Sequence, residues 1–268
     1  MRGSSAEALA ALTEELVARA AEGDPGRIAD DLFAVANLLR RAPLLRRVAT
    51  DVSVAAKAKA DVLRGLVQDQ IDGASMDLVE KAVGMRWSAT RDLPDALDHV
   101  AVIAVVKDAE RAGHADALED ELFGFGRVVE ENPELRDALS DRTRSVQDKR
   151  ELVRTLLEGK ATASTVRLVE QALTGTFRTL GLALEAFRKI TAEHRNRLVA
   201  VVRVAEELDG SAVQRLESAL SAQYGRPVHV NVRRDRHVIG GVKVEIGDDV
   251  IDGTVATRLD EARRRLAG

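Results

Sequence analysis

The sequence predicts a mostly helical α+β protein, with tandem helical bundles in residues 1–95 and 96–195 and a small α+β domain in residues 196–268. Three observations support this prediction. Aromatic residues make up only 3% of the 268 positions, which favours amphipathic helices packed through small aliphatic side chains. A unit that covers nearly the whole first 190 residues repeats at a shift of 90 positions. Near residue 199 the apolar pattern changes from helical to β-strand character.

The match at a shift of 90 residues indicates a duplicated helical domain. Between residues 43–83 and 133–173, 11 of the 41 gapless pairs are identical. Ordinary residue frequencies predict roughly three identities over such a length. Amphipathic helices can also resemble one another without common descent, so this alternative stays open.

The first bundle begins with a helix whose start, Ser4-Ser5-Ala6-Glu7, has the spacing of a capping box with Ser4 as N-cap. Asp24-Pro25 begins the next helix, because aspartate caps free backbone N–H groups and proline fits a first turn. Pro43 ends that helix, since it cannot donate a backbone hydrogen bond. The apolar face of the second helix consists of Ile28, Leu32, Val35, Ala36 and Leu39.

The second bundle repeats this order. Residues 116–130 form an amphipathic helix, Asn132-Pro133 breaks it, and residues 145–157 form the next helix. Helices of about 12 to 20 residues joined by short breaks are typical of helical bundles.

The C-terminal domain begins with a β-branched run at residues 199–204, which predicts a strand. Asp209 or Ser211 caps the following helix, and Gly225 ends it. Residues 228–232 alternate apolar and polar side chains and predict a second strand. Residues 239–254 then predict a β-hairpin, followed by a helix that begins at Thr254.

Charge and composition exclude several classes of function. The 40 basic and 44 acidic residues give a net charge of −4 and are interspersed, so we expect no nucleic acid partner. The absence of cysteine excludes disulfides, thiolate metal sites and thiol nucleophiles. The longest apolar run, Val100–Val106, is far shorter than the about 20 residues that span a bilayer, and the N-terminus lacks the apolar segment of a signal peptide. We therefore expect a cytosolic protein without direct membrane insertion.

No sequence motif predicts catalysis, a cofactor or a metal. The hairpin glycines lack the Gly-Lys-Ser/Thr that follows a phosphate-binding loop. Asp248, Asp249 and Asp252 are close in sequence, but they have turn chemistry and lack the spacing of a calcium loop. The five histidines form no His-x-x-x-His pair.

The hairpin residues resemble the delta subunit of the bacterial F-type ATP synthase, whose family includes the mitochondrial oligomycin-sensitivity-conferring protein. The C-terminal signature of that family is a glycine-rich strand, a Gly-Asp turn and Val-Ile-Asp-Gly-Ser/Thr before a final helix. Upstream, Asn132-Pro133-Glu134-Leu135-Arg136 followed by Lys149 resembles the second and third helices of the family. The signature residues in this chain are Gly240, Gly241, Gly247, Asp248, Val250, Ile251, Asp252, Gly253 and Thr254.

The resemblance implies a non-catalytic stator subunit in the peripheral stalk of the proton-translocating ATP synthase, with no cofactor. In the family the helical domain holds N-terminal helices of alpha subunits, and the C-terminal domain holds the b subunit. The implied location is the cytoplasmic face of the cell membrane, as a peripheral part of the complex. Residues 96–268 cover the ordinary family length, so residues 1–95 are an extra helical copy, as in the long delta subunits associated with actinobacteria.

Two groups of residues are candidates for partner binding. Trp87 and its counterpart Phe177 follow apolar helical faces, where a large aromatic side chain can anchor a partner helix or pack in the core. Arg233, Arg234 and Arg236 form a short basic run that can meet an acidic stalk helix or remain solvated. The competing functions are a generic helical-repeat scaffold unrelated to ATP synthase and an enzyme with an undetected pocket.

Overall fold

The fold is mostly helical, with a small four-stranded sheet near the C-terminal end, which confirms the predicted fold class. The chain divides into two compact units, Met1–Thr191 and Ala192–Gly268. The computed structural model describes residues 1–141, 143–174, 177–195, 198–206, 208–225, 227–235, 238, 240–246 and 249–253.

The first six helices include the helix predicted to begin at Asp24-Pro25 and to end at Pro43. They are α1 Ser4–Glu22, α2 Pro25–Arg41, α3 Pro43–Thr50, α4 Ala56–Val67, α5 Gly73–Gly84 and α6 Asp92–Arg111. Asp24 caps α2 by accepting hydrogen bonds from Gly26 N at 2.9 Å and Arg27 N at 3.2 Å. Pro43 both terminates the path of α2 and occupies the first turn of α3, where its missing N–H costs nothing.

The predicted capping box at Ser4 is wrong. Helix α1 begins at Ser4, its N-cap is Gly3, and no side chain caps it. Ser5 instead makes tertiary hydrogen bonds, because it donates to Asp92 Oδ2 at 2.7 Å and accepts from Ser88 N at 2.8 Å. These bonds hold the start of α1 against the start of α6.

Four of the next five helices begin at intervals that repeat those of the first set. They are α7 Ala115–Glu131, α8 Pro133–Ser140, α9 Val146–Leu157, α10 Ala163–Ala172 and α11 Leu180–His194. The first residues of α7, α8, α9 and α10 each lie 90 positions after those of α2, α3, α4 and α5. The helices predicted over residues 116–130 and 145–157 are therefore confirmed as α7 and α9.

The turns between these helices repeat in atomic detail. Asp51 accepts hydrogen bonds from Ser53 N at 2.8 Å and Ser53 Oγ at 2.7 Å, and Asp141 accepts the same pair from Thr143 at the same distances. In each turn the hydrogen bonds hold the pKa of the aspartate below its usual range. Equivalent turns thus join α3 to α4 and α8 to α9.

A second repeated contact ties α2 to the start of α5 and α7 to the start of α10. Asp72 N donates to Asp31 Oδ2 at 2.8 Å, and Thr162 N donates to Glu121 Oε2 at 2.8 Å. All four residues obey the shift of 90 positions. The donors lie at the N-termini of α5 and α10, where backbone N–H groups lack intrahelical partners.

Helix α6 is the central helix of the first unit. Its apolar run Val100–Val106 is buried along its whole length, and the helix contacts α1, α2, α5, α7 and α10. The run is therefore a core segment, and no helix in the described part of the chain is long and apolar enough to span a bilayer. The predicted border between residues 95 and 96 falls in the first turn of α6, and the division into three domains stays a prediction.

The second unit is a mixed sheet with the order β2-β1-β3-β4. Its elements are β1 Leu198–Val204, α12 Gly210–Tyr224, β2 Val228–Arg234, β3 Val242–Ile246 and β4 Asp249–Asp252. Strand β2 is parallel to β1, whereas β1–β3 and β3–β4 are antiparallel. The strands predicted at residues 199–204 and 228–232, and both strands of the predicted hairpin, are confirmed.

Helix α12 begins and ends as its sequence predicts. Asp209 caps it by accepting a hydrogen bond from Ala212 N at 2.6 Å, and this bond lowers the pKa of Asp209. Gly225 ends it in the left-handed conformation, with φ at 65°, which glycine adopts without a Cβ clash. Leu220 packs on the alternate valines of β1 and β2. The helix predicted to begin at Thr254 lies outside the described residues.

We expect Leu97→Ala to lower the free energy of unfolding of the helical unit by about 3 kcal/mol. The Leu97 side chain of α6 is fully buried, and its truncation leaves a cavity in the core. Leu66→Ala, on the exposed face of α4, is the matched control and should change it by less than about 0.5 kcal/mol. Trp87, the single tryptophan, reports unfolding of this unit by fluorescence in urea. Equal losses in both variants would contradict the central place of α6.

Candidate partner-binding surfaces

The two predicted aromatic anchors lie against the helical core. Trp87 is 8% exposed, and its Nε1 donates to Ala82 O at 2.9 Å at the end of α5. Phe177 is half-buried and meets the Phe187 ring edge to face, with centroids 5.8 Å apart. This packing agrees with the alternative in which both aromatic side chains pack in the core. A partner-binding role for either aromatic residue stays a prediction.

The predicted basic run is at the end of the edge strand β2. Arg234 is exposed, and its Nε donates to Ala205 O at 3.3 Å. Arg233 is half-buried, and Arg236 lies outside the described residues. A contact between these arginines and an acidic helix stays a prediction.

A charged group lies beside this run on the sheet. Arg203 Nε is 3.3 Å from Glu245 Oε1, and Lys243 Nζ is 3.2 Å from the same oxygen. Burial opposes the charge on Glu245, but hydrogen bonds from Lys243 and Arg203 outweigh it and hold the pKa of Glu245 below its usual range. This pairing places three charged side chains of β1 and β3 on one face of the sheet.

The first glycines of the family-like signature shape the backbone. Gly240 and Gly241 have φ angles of 68° and 78°, a region that side chains with a Cβ rarely adopt. They lead directly into β3. At the other end, a Cβ on Gly253 would lie 3.2 Å from Val242 O, while Gly253 N donates to the same oxygen at 2.9 Å. Glycine therefore permits close approach of the chain beside β3.

The remaining signature residues divide between β4 and the undescribed positions. Val250, Ile251 and Asp252 belong to β4 and are exposed. Gly247, Asp248 and Thr254 lie outside the described residues, including the turn of the hairpin. Strand β4 pairs with β3 in the register Glu245 to Val250.

Two open clefts lie on either side of α2. The first, of about 410 Å³, lies between α2 and the α9–α10 pair, and the second, of about 430 Å³, lies between α2 and α4. Asp30, Ala34 and Leu38 line both clefts, so this face of α2 forms a ridge between them. We call this face the α2 ridge. The side chains of a packed helix can lie against Ala34 and Leu38 of this ridge.

A buried polar cluster lies below the α2 ridge and joins three helices. Arg40 Nη2 is 2.7 Å from Asp98 Oδ2 and donates to Asp95 Oδ1 at 3.1 Å. Gln171 Nε2 donates to Asp98 Oδ1 at 2.9 Å, and Asn37 Nδ2 donates to Gln171 Oε1 at 3.3 Å. We call these five residues the Asp98 cluster. It ties α2 and α10 to α6.

Burial controls the electrostatics of the Asp98 cluster. Asp98 is 5% exposed, and this burial raises its pKa even though Arg40 lies beside it. Burial also opposes the charge of Arg40, but attraction to Asp98 outweighs it and keeps the Arg40 pKa above its usual range. The arginine therefore remains charged. Loss of either partner leaves the other buried without its ion pair.

A second polar contact joins the same three helices nearer the surface. Arg167 in α10 lies 2.7 Å from Asp30 Oδ1 in α2 and 3.2 Å from Asp108 Oδ2 in α6. Gly26 allows this approach, because a Cβ at that position would lie 3.2 Å from the Asp108 carboxylate. The contact with Asp30 connects the two predicted bundles, whereas Asp108 and Arg167 both belong to the second.

The Asp98 cluster was absent from the sequence prediction. Asp98 lies two positions before Val100, where the apolar run of α6 begins, and this was the available signal: a carboxylate beside a buried segment requires a partner. Nothing in the sequence identified Arg40 or Gln171 as that partner, because they are separated from Asp98 by 58 and 73 positions. Among the described residues, no group of three metal-binding side chains is present.

The sequence profile of the ATP synthase delta (OSCP) subunit family matches residues 102–266. This match begins within α6 and continues through the C-terminal unit. The chain belongs to the ATP synthase delta (OSCP) subunit family. It is a structural, non-catalytic component of the peripheral stalk.

The similarity to relatives extends beyond the family profile. An ATP synthase subunit delta of Nocardioides sp. is 52% identical over 274 residues, covering 100% of this chain and 98% of the relative. That of Streptomyces avermitilis is 48% identical over 268 residues, covering 99% and 98%. The sequence similarity to both relatives therefore includes the segment that precedes residue 102. A chain of the Toxoplasma gondii mitochondrial ATP synthase is 15% identical, with a TM-score of 0.37 over 62% of this chain and 95% of that chain, too low for an argument about fold.

We expect Arg40→Met to lower the free energy of unfolding by about 3 kcal/mol, because it leaves the Asp98 carboxylate buried without its ion pair. The adjacent, exposed Arg41 provides the control, and Arg41→Met should change it by less than about 0.5 kcal/mol. Urea unfolding followed by Trp87 fluorescence measures both. An Arg40→Met variant as stable as the control would mean that the cluster contributes little to the fold.

We expect the pH dependence of stability to change in Asp98→Asn, which keeps the side-chain shape but cannot ionise. Because the pKa of Asp98 is raised in the folded state, that state binds a proton more tightly than the unfolded chain. The contribution of this group to stability therefore grows as the pH falls through the folded pKa and is lost as the pH rises through it. The difference in unfolding free energy between the unaltered chain and the variant should increase from about pH 7 to about pH 4. A difference independent of pH would contradict the raised pKa.

Proposed function

We propose that this chain links the catalytic head of the ATP synthase to its peripheral stalk, with the helical unit holding N-terminal helices of alpha subunits and the C-terminal unit holding the b subunit. The observation that carries the proposal is membership of the delta (OSCP) family, with 52% identity to a relative over the full chain. The link resists rotation of the head. The site of action is the cytoplasmic face of the cell membrane, where the chain is a peripheral part of the complex.

The α2 ridge is our candidate seat for an alpha-subunit helix. The clefts on either side are within the usual volume range of binding clefts, and their walls are rigid helices. A helix laid beside Ala34 can approach the α2 backbone closely, because alanine has little side-chain volume. The Asp98 cluster underneath supports this seat by holding α2 in place against α6 and α10.

We also propose that the first 95 residues are a duplicated helical domain. The proposal is supported by the helix starts that recur at 90 positions and by the equivalent turns at Asp51 and Asp141. Helix α6 would then serve both copies, as the last helix of the first and the first helix of the second. The extra copy would grip a second alpha-subunit helix, which adds to the strength of attachment through effective concentration.

Family membership sets the competing functions aside. A scaffold unrelated to ATP synthase does not account for the match over residues 102–266. An enzyme with an undetected pocket does not account for the relation to a structural subunit.

A titration of the full chain and of a chain ending at Thr191 tests these proposals. Isothermal calorimetry with an alpha-subunit N-terminal peptide should give about two peptides bound for either chain, because both copies lie in the helical unit. The soluble part of the b subunit should bind only the full chain. Arg234→Ala provides a further comparison for the b subunit, with the exposed Arg215→Ala in α12 as its control.

Each part of the proposal can fail separately. Binding of the b subunit to the shortened chain would contradict the assignment of the C-terminal unit. A single bound alpha peptide would contradict the second alpha-subunit seat, while leaving the stator link intact.

A further inference from the structure

Helix α3 carries an exposed apolar stripe. Leu44 is 81% exposed, Val48 is 40% exposed, and Val52, in the turn after the helix, is 68% exposed. Their spacing of four residues places Leu44 and Val48 on one face of α3. The opposite face is already occupied, because Ala49 is buried in the core. We call these three residues the α3 stripe.

The turn after α3 holds the end of the stripe in place. Asp51 accepts two hydrogen bonds from Ser53, which fixes the backbone on both sides of Val52. Val52 is therefore displayed to solvent by an ordered turn. Isolated exposed apolar residues are common on protein surfaces, but three at this spacing on an ordered segment require a further reason.

The counterpart positions in the second set of helices show that the fold does not require the stripe. The residues 90 positions later are Glu134, Ala138 and Arg142. Helix α8 has the same length as α3 and the same relation to the turn that follows it. The apolar side chains of the stripe are therefore a property of the first set alone.

The charges around the two helices differ in the same way. Residues 40–60 contain six basic side chains and one acidic side chain, whereas residues 130–150 contain five basic and six acidic ones. Arg47 lies on the same face of α3 as Leu44 and Val48 and is exposed, as is Lys57 at the start of α4. Their counterparts are Asp137 and Gln147. The apolar stripe is thus flanked by positive charge in a chain whose net charge is negative.

We propose that the α3 stripe, with Arg47 and Lys57, docks an acidic amphipathic helix of a partner protein. Apolar side chains of that helix cover Leu44, Val48 and Val52, and its carboxylates face the two basic residues. A short stripe of one leucine and two valines without an aromatic residue suits a helix better than a bilayer surface, which binds wider apolar faces with aromatic anchors. This interface is separate from the α2 ridge and does not depend on the partners proposed for that ridge.

Photo-crosslinking in the assembled ATP synthase tests the proposal. The full chain carries benzoylphenylalanine in place of Leu44, or in place of its exposed counterpart Glu134 as the matched control. After irradiation, mass spectrometry identifies the attached peptide. We expect position 44 to capture a peptide of net negative charge with apolar residues at helical spacing, at about five times the yield of position 134.

Charge variants of the crosslinking chain provide the second measurement. R47E together with K57E should lower the yield at position 44 by about fivefold, whereas Q147E should leave it unchanged. These side chains are exposed, so unchanged unfolding in urea confirms that the fold persists. Equal yields at positions 44 and 134, attachment to lipid or a second copy of the chain, or capture of a peptide without acidic residues would each overturn the proposal.

Discussion

The burial of α6 on all sides is the constraint on which the helical unit depends. The middle of this helix, Val100–Val106, has no polar face and needs neighbours around its whole circumference, and here they come from both sets of helices. Asp98, two positions before this buried run, reaches Arg40 from the first set and Gln171 from the second. The same helix therefore organises the apolar core and specifies which polar side chains must meet.

This arrangement explains why residues 1–191 form a single compact unit. The core is continuous from α1 to α11, and Arg167 adds a surface contact between α10, α2 and α6. A stator has to transmit load without bending between its attachment points. Helices that share a buried central helix are held more firmly than two bundles joined by a linker, because separation would expose the apolar run of α6.

The two sets of helices agree more closely in their turns and caps than on their surfaces. Capping and turn contacts recur at 90 positions, as at Asp51 and Asp141, because they determine where each helix begins. The solvent faces are free of that constraint, so Leu44 has a glutamate as its counterpart. The two sets can therefore keep one backbone plan and present different side chains to solvent.

The sequence by itself determined the local features: the helix starts at Asp24 and Ser145, the strands of the C-terminal unit and the family signature. These depend on neighbouring residues, whose spacing is read directly from the chain. Only the tertiary structure decided the rest. Ser5 bonds to Asp92 rather than capping its own helix, and Asp98 meets partners 58 and 73 positions away. Such contacts follow from how helices pack, and packing depends on the shape of the whole core rather than on any local pattern.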